Sequence, residues 1–135
     1  MVIKMKAIGY IQSPFKETSE IPRQSILAED KKAVIEMLPE FQAGIEDIEE
    51  NSYGIILFHF HQSKEAPIKV IPHGRDVLTG VFSTRSPRRP NGIGMSIVKF
   101  TKVEAGKLEF QGVDMVDGTP VLDIKPYNAD LNPKQ

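Results

Sequence analysis

The 135 residues include no cysteine, which excludes disulfides, thiolate nucleophiles and zinc–thiolate centres and agrees with a reducing compartment. No apolar run approaches the roughly 18 residues of a membrane-spanning helix, and the opening MVIKMKAIGYIQSPF lacks the long apolar core of a secretory signal. A cytoplasmic protein that does not enter a membrane is expected. The common nucleotide-binding motifs are missing too. There is no GxxxxGK[ST], and Gly92-Ile93-Gly94 lacks the third glycine and the helix of a dinucleotide fingerprint. The aspartates near Asp117 do not have the spacing of a calcium loop, and no G-x-S-x-G elbow occurs. Internal repeats, linkers and the strand–helix alternation of a doubly wound sheet are likewise absent, so one domain over residues 1–135 is expected.

Charge is nearly balanced in total, at −1, but not along the chain. Ten acids face three bases between Glu17 and Glu50, whereas six bases face one acid between Arg75 and Lys102. Such segregation suits either a phosphate-bearing partner or the meeting of opposite patches, within the chain or across a subunit boundary.

Short period-two runs dominate what is present. VIKMKAIGYIQ reads as a strand entering the turn SPF, and SYGIILFHFHQ as a buried strand. APIKVIP and LTGVFST are further strand candidates. IGMSIVKFTKVEAGKLEFQGVDMV reads as a hairpin turning at Glu104 to Gly106, followed by VLDIKPY. SILAEDKKAVIEMLPEF reads as the one long helix, capped by Ser25, with Glu29 and Asp30 in its early turns and Pro39 at its end. Its Ile26, Leu27, Val34, Ile35 and Leu38 fall near one face. The polar tail, 128–135, is expected to be loose. One helix with six or seven short strands predicts a mainly β fold, a barrel or sandwich, with no Rossmann pattern.

Four stretches carry possible chemistry. In FSTRSPRRPNGIG, residues 82–94, Pro87 and Pro90 stiffen a backbone bearing three arginines, which can present paired donors to carboxylate or phosphate. Asn91-Gly92 admits positive φ and Gly94 admits close approach of another group. HFH sets His59 and His61 on one strand face with Phe60 opposite and Gln62 just beyond. Two histidines two apart can ligate a metal, but His73 is the one histidine left, so a packing or hydrogen-bonding pair is the stronger reading and no metal site is expected. IPRQ, residues 21–24, places Arg23 and Gln24 before the helix, as a simple turn or as an anion contact. DMVDGTPVLDIKPY carries Asp114, Asp117 and Asp123, where Asp117-Gly118 is an Asx-type turn or an acceptor for a hydroxyl or amino group.

Taken in order, IPRQ, the strand ending FHFHQ, GVFSTRSPRRPNGIGMS and DMVDGTPVLDIKPY resemble the TrmO/TsaA-like family of S-adenosylmethionine-dependent tRNA methyltransferases, from about Gly9 to Tyr127. The family usually reads Arg-Pro-Asn-Pro-Ile-Gly where this chain has Gly92 in place of the second proline, and many bacterial members carry a further C-terminal region. The resemblance implies a single-domain β-barrel with one or two short helices, a homodimer with the cofactor near the subunit interface, and methylation of N6 of threonylcarbamoyl-adenosine next to the anticodon in tRNA. It places cofactor contacts on Pro22, Arg23, Gln24, His61, Gln62, Arg85, Met95, Asp117, Gly118, Thr119 and Pro120. Arg85 can then pair with the methionine carboxylate, and Arg88, Arg89 and Lys99 remain for tRNA phosphates. For a general base, His59, His61 and Asp114 stand level. Two readings compete: a regulatory module that binds a nucleotide or S-adenosylmethionine and transfers nothing, and a metal hydrolase on His59 and His61, which lacks ligands.

Overall fold

A computed structural model describes residues 1–21 and 31–134. Eight strands run β1 (Gly9–Gln12), β2 (Lys32–Met37), β3 (Ser52–His59), β4 (Lys69–Val70), β5 (Thr79–Gly80), β6 (Ile93–Glu104), β7 (Lys107–Gln111) and β8 (Pro120–Pro126). Six of them close into a barrel in the order β1-β2-β7-β6-β3-β8, and β4 and β5 pair separately. Every pairing is antiparallel. Closure leaves no barrel strand with an unpaired edge.

Alternation along the strands builds the core. On β6, Val98 and Phe100 point in; on β7, Leu108 and Phe110; on β2, Ala33, Ile35 and Met37; and they join Ile11, Ile56 and Val121 in one buried cluster. Gly54 on β3 makes room for the Phe100 ring, since a Cβ there would fall within 1.9 Å of it. The β6–β7 hairpin turns through Ala105 and Gly106, both with positive φ, as the sequence pattern predicts.

The long helix is corrected over its second half. Lys32–Met37 is a strand, paired with β1 on one side and β7 on the other. Ala33, Ile35 and Met37 satisfy period two as well as Val34, Ile35 and Leu38 satisfy a helical face, and the barrel's need for a strand between β1 and β7 decides between them. Pro39 opens a 3-10 helix, Pro39–Ile45, instead of ending an α-helix. Residues 22–30, which include the expected cap Ser25, lie outside the described residues.

Between β3 and β6 the chain leaves the barrel for residues 60–92. Only Val70 and Val81 are buried there among the large aliphatics, while Ile68, Ile71, Val77, Leu78 and Phe82 are exposed. The expected tail holds a 3-10 turn, Ala129–Leu131, capped by Asn128, whose side chain accepts from the Asp130 N–H.

Candidate functional site

β3 ends where β6 begins, with His59 opposite Ile93, so the apolar strand and the arginine loop meet at one mouth of the barrel. Gly94 faces inward there. A Cβ on it would come within 2.4 Å of the Phe58 ring, so the group that approaches this glycine is an aromatic side chain of the protein itself. Phe58 and Phe60 then stack edge to face, 5.2 Å between ring centroids. Beside the rings is a half-enclosed cavity of about 350 Å³. His59, His61, Gln62, Ser63, Arg88 and Asp114 are its principal polar walls, with Met115 and Val116 among the apolar ones.

The polar walls are held differently. Asp114 accepts a 2.6 Å hydrogen bond from the buried Ser96 hydroxyl on β6. Arg88 reaches Glu65 across the rim at 2.6 Å. The Ser63 hydroxyl is buried without a hydrogen-bond partner among the described residues, a donor suited to a ligand atom. Burial, with the neighbouring His59 adding to it, holds His61 below the usual imidazole range, so the ring is neutral at neutral pH.

The arginine loop is a chain of local bonds. Thr84 Oγ1 donates to the Val81 carbonyl and accepts from the Ser86 N–H, and Ser86 Oγ accepts from the Arg88 N–H. Arg89 turns back on the loop, one terminal nitrogen donating to the carbonyls of Thr84 (2.9 Å) and Ser86 (3.2 Å). One nitrogen of this arginine, expected among the phosphate contacts, is thus engaged in the loop itself. Gly92 has φ +55°, a value closed to proline, so the departure at this position changes the backbone path and not only its stiffness.

The expected cofactor residues divide. His61, Gln62 and Thr119 line the cavity. Asp117 does not: its carboxylate accepts from the Ser13 N–H at 2.9 Å, pairs with Lys16 at 3.1 Å, and borders a more open hollow with Gln12 and Lys32. Those bonds, the Ser13 amide foremost, hold its carboxyl below the usual carboxylate range. Gly118, at φ +82°, completes the turn, and Pro120 begins β8 opposite Tyr10. Met95 sits 46% exposed on the outer barrel face beside Leu57, with Lys99 further along the same face. Arg85 is exposed on the loop. Pro22, Arg23 and Gln24 lie outside the described residues. Ser63 and Ser96 are additions that sequence reasoning missed. A signal existed for Ser96, a polar residue in the inward register of β6 between Gly94 and Val98.

Among the described residues no three His, Asp or Glu gather as a metal-binding cluster, and no helix is long and apolar enough to cross a membrane. The fold and its mouth define a small antiparallel barrel with a concave, aromatic and polar ligand site. The family described as the tRNA-methyltransferase O N-terminal domain matches residues 10–132, and the chain belongs to it. A Pyrococcus abyssi protein named "Probable S-adenosyl-L-methionine-binding protein" is 42% identical over 135 residues, spanning 100% of this chain and 73% of its own. The mouse tRNA (adenine(37)-N6)-methyltransferase is 42% identical over 135 residues, spanning 95% of this chain and 31% of its own. The crystal structure of TrmO from Pseudomonas aeruginosa superposes with a TM-score of 0.83 at 42% identity, covering all of this chain and 61% of that one. The chain thus spans under two thirds of the TrmO crystal chain and about a third of the mouse protein.

Proposed function

We propose that the chain binds S-adenosylmethionine at the barrel mouth and transfers its methyl group to N6 of threonylcarbamoyl-adenosine next to the anticodon in tRNA. The observation that carries this reading is the convergence of all four motif segments, through Ile21, Gln62, Arg88 and Thr119, on one cavity. The cavity suits the ligand. Its size lies within the roughly 300–1,000 Å³ of small-molecule sites. Phe58 and Phe60 offer aromatic surface, Glu65 a partner for an ammonium, and Ser63 a hydroxyl with no partner among the described residues. A neutral His61 adds no repulsion against a sulfonium. When bound, the cofactor supplies an activated methyl group; the chain's own residues align it and exclude water.

The same reading makes residues 1–135 one domain acting in the cytoplasm as a homodimer. Arg85, Met95 and Asp117 lie away from the cavity lining within one chain, and a second subunit gives them a route to the ligand. Arg88 and Lys99 serve tRNA phosphates, Arg88 by exchanging Glu65 for RNA.

Labelled S-adenosylmethionine is incubated with total tRNA from cells with and without threonylcarbamoylation, and calorimetry in chelator follows cofactor binding. Label only in the threonylcarbamoylated pool is the expected result. Binding without transfer to either pool would favour the regulatory module instead.

A further inference from the structure

N6 of a threonylcarbamoyl-adenosine is bonded to a carbonyl carbon, so its lone pair is delocalised and its single hydrogen must leave as the nitrogen gains a methyl group. A positioned acceptor for that proton is required. Four groups at the mouth qualify by type, His59, His61, Glu65 and Asp114, of which Glu65 is exposed and already paired with Arg88. They differ in how they are held. His59 is exposed at the last residue of β3, and His61 follows on the bend beyond it, where its N–H bonds back to the His59 carbonyl. Asp114 is half-buried and is gripped at Oδ1 by the hydroxyl of Ser96, itself 4% exposed on the barrel's inner wall. A short bond from a buried hydroxyl fixes the carboxylate's orientation.

We propose that Asp114 accepts the N6 proton during methyl transfer and that Ser96 is its positioning residue; this rests on the methyltransferase reading above. In the step, the nitrogen forms a bond to the methyl carbon as the carbon–sulfur bond breaks. That electron pair stays on sulfur, which becomes neutral, and the N–H proton passes to the Asp114 carboxylate. The products are the N6-methylated nucleoside, S-adenosylhomocysteine and a protonated Asp114. The other titratable groups lining the cavity are His59, His61, Lys64, Glu65 and Arg88, so each is a possible contributor to a pH profile.

Single-turnover transfer to threonylcarbamoylated tRNA is measured from pH 5 to 9 for the wild type, Asp114→Asn, His61→Gln, Ser96→Ala and Ser96→Thr, beside calorimetric binding of S-adenosylmethionine. Asp114→Asn should lower the transfer rate about 100-fold or more with cofactor affinity unchanged. Ser96→Ala should lower it about tenfold with cofactor affinity unchanged, and Ser96→Thr should restore it. In the absence of tRNA, carbon-13 NMR should show the Asp114 carboxyl resonance displaced in Ser96→Ala and returned in Ser96→Thr, a readout independent of turnover. A wild type that labels tRNA together with an unimpaired Asp114→Asn, or a larger rate loss in His61→Gln than in Asp114→Asn, overturns the assignment alone. An unmoved Asp114 carboxyl resonance in Ser96→Ala overturns the role of Ser96 even if Asp114→Asn fails to fold. A wild type that binds the cofactor and labels no tRNA removes the methyltransferase reading as well.

Discussion

The barrel wall and the 60–92 excursion use apolar residues in opposite ways. Phe100 is 2% exposed, seated on Gly54 of the neighbouring strand, whereas Phe82 is 78% exposed within the 3-10 turn Val81–Ser83. The wall gains its order from buried area and continuous ladders. The excursion gains its order from two-residue strands, two buried valines and short polar bonds such as Arg89 to Thr84. A region ordered by local polar bonds can hold its arginines at the mouth without filling it with hydrophobic packing, which suits a site that must admit a ligand.

The largest effects should come from testing that contrast directly. Phe100→Ala removes a ring from a closed core and should cost about 3–5 kcal/mol of stability. Phe82→Ala, the same substitution on an exposed site, should stay within about 0.5 kcal/mol. Thermal and urea unfolding of both variants measure the difference. Similar costs would mean that Phe82 packs against something in solution, a second subunit being the first candidate.

How much of this was legible in the sequence differs along the same divide. The β6–β7 hairpin announced itself through alternation and the Ala105-Gly106 turn, because period two and turn chemistry are local signals. β2 did not: AVIEM satisfies both periods, and only its two neighbours in the closed barrel, β1 and β7, select the strand. At the site, the motif stretches marked the segments, and all four reach the mouth. Their side-chain directions were not legible. Asp117 points to Ser13 and Lys16, Arg89 points into its own loop, and Asp114 meets Ser96 across 18 positions. Those contacts are set by tertiary placement, which no local pattern encodes.

A middle-sized effect separates the two neighbouring arginines of the excursion. Arg89 donates to two loop carbonyls, so Arg89→Ala should loosen residues 84–92 by about 1.5–3 kcal/mol, read as faster amide hydrogen exchange there with the barrel unchanged. Arg88→Ala breaks only an exposed pair with Glu65 and should leave exchange alone. Its expected signature is a shallower dependence of tRNA affinity on salt, by about one unit of log slope for one phosphate lost. Exchange that accelerates equally in both variants would end the division of labour between them.

The smallest effect tests the seam where the barrel hands over to the site. Asp117 ties the turn before β8 to the end of β1 through the Ser13 amide and Lys16, and these bonds lower its carboxyl below the ordinary carboxylate range. A group lowered in the folded state stabilises fully above the unfolded value, and that contribution fades as pH falls through the lowered one. The carboxylate is 40% exposed at its side chain, so solvent screening keeps the contribution modest. Asp117→Asn should therefore lower stability slightly at pH 7, by an amount that is constant down to about pH 5 and closes toward zero as both proteins become uncharged at this position in stronger acid. Urea unfolding of the two proteins at steps from pH 7 to pH 3 follows the gap. A gap that persists unchanged at pH 3 would mean that the turn is held by shape and not by the ionised carboxylate. The seam would then belong to the barrel's way of ordering and not to the excursion's.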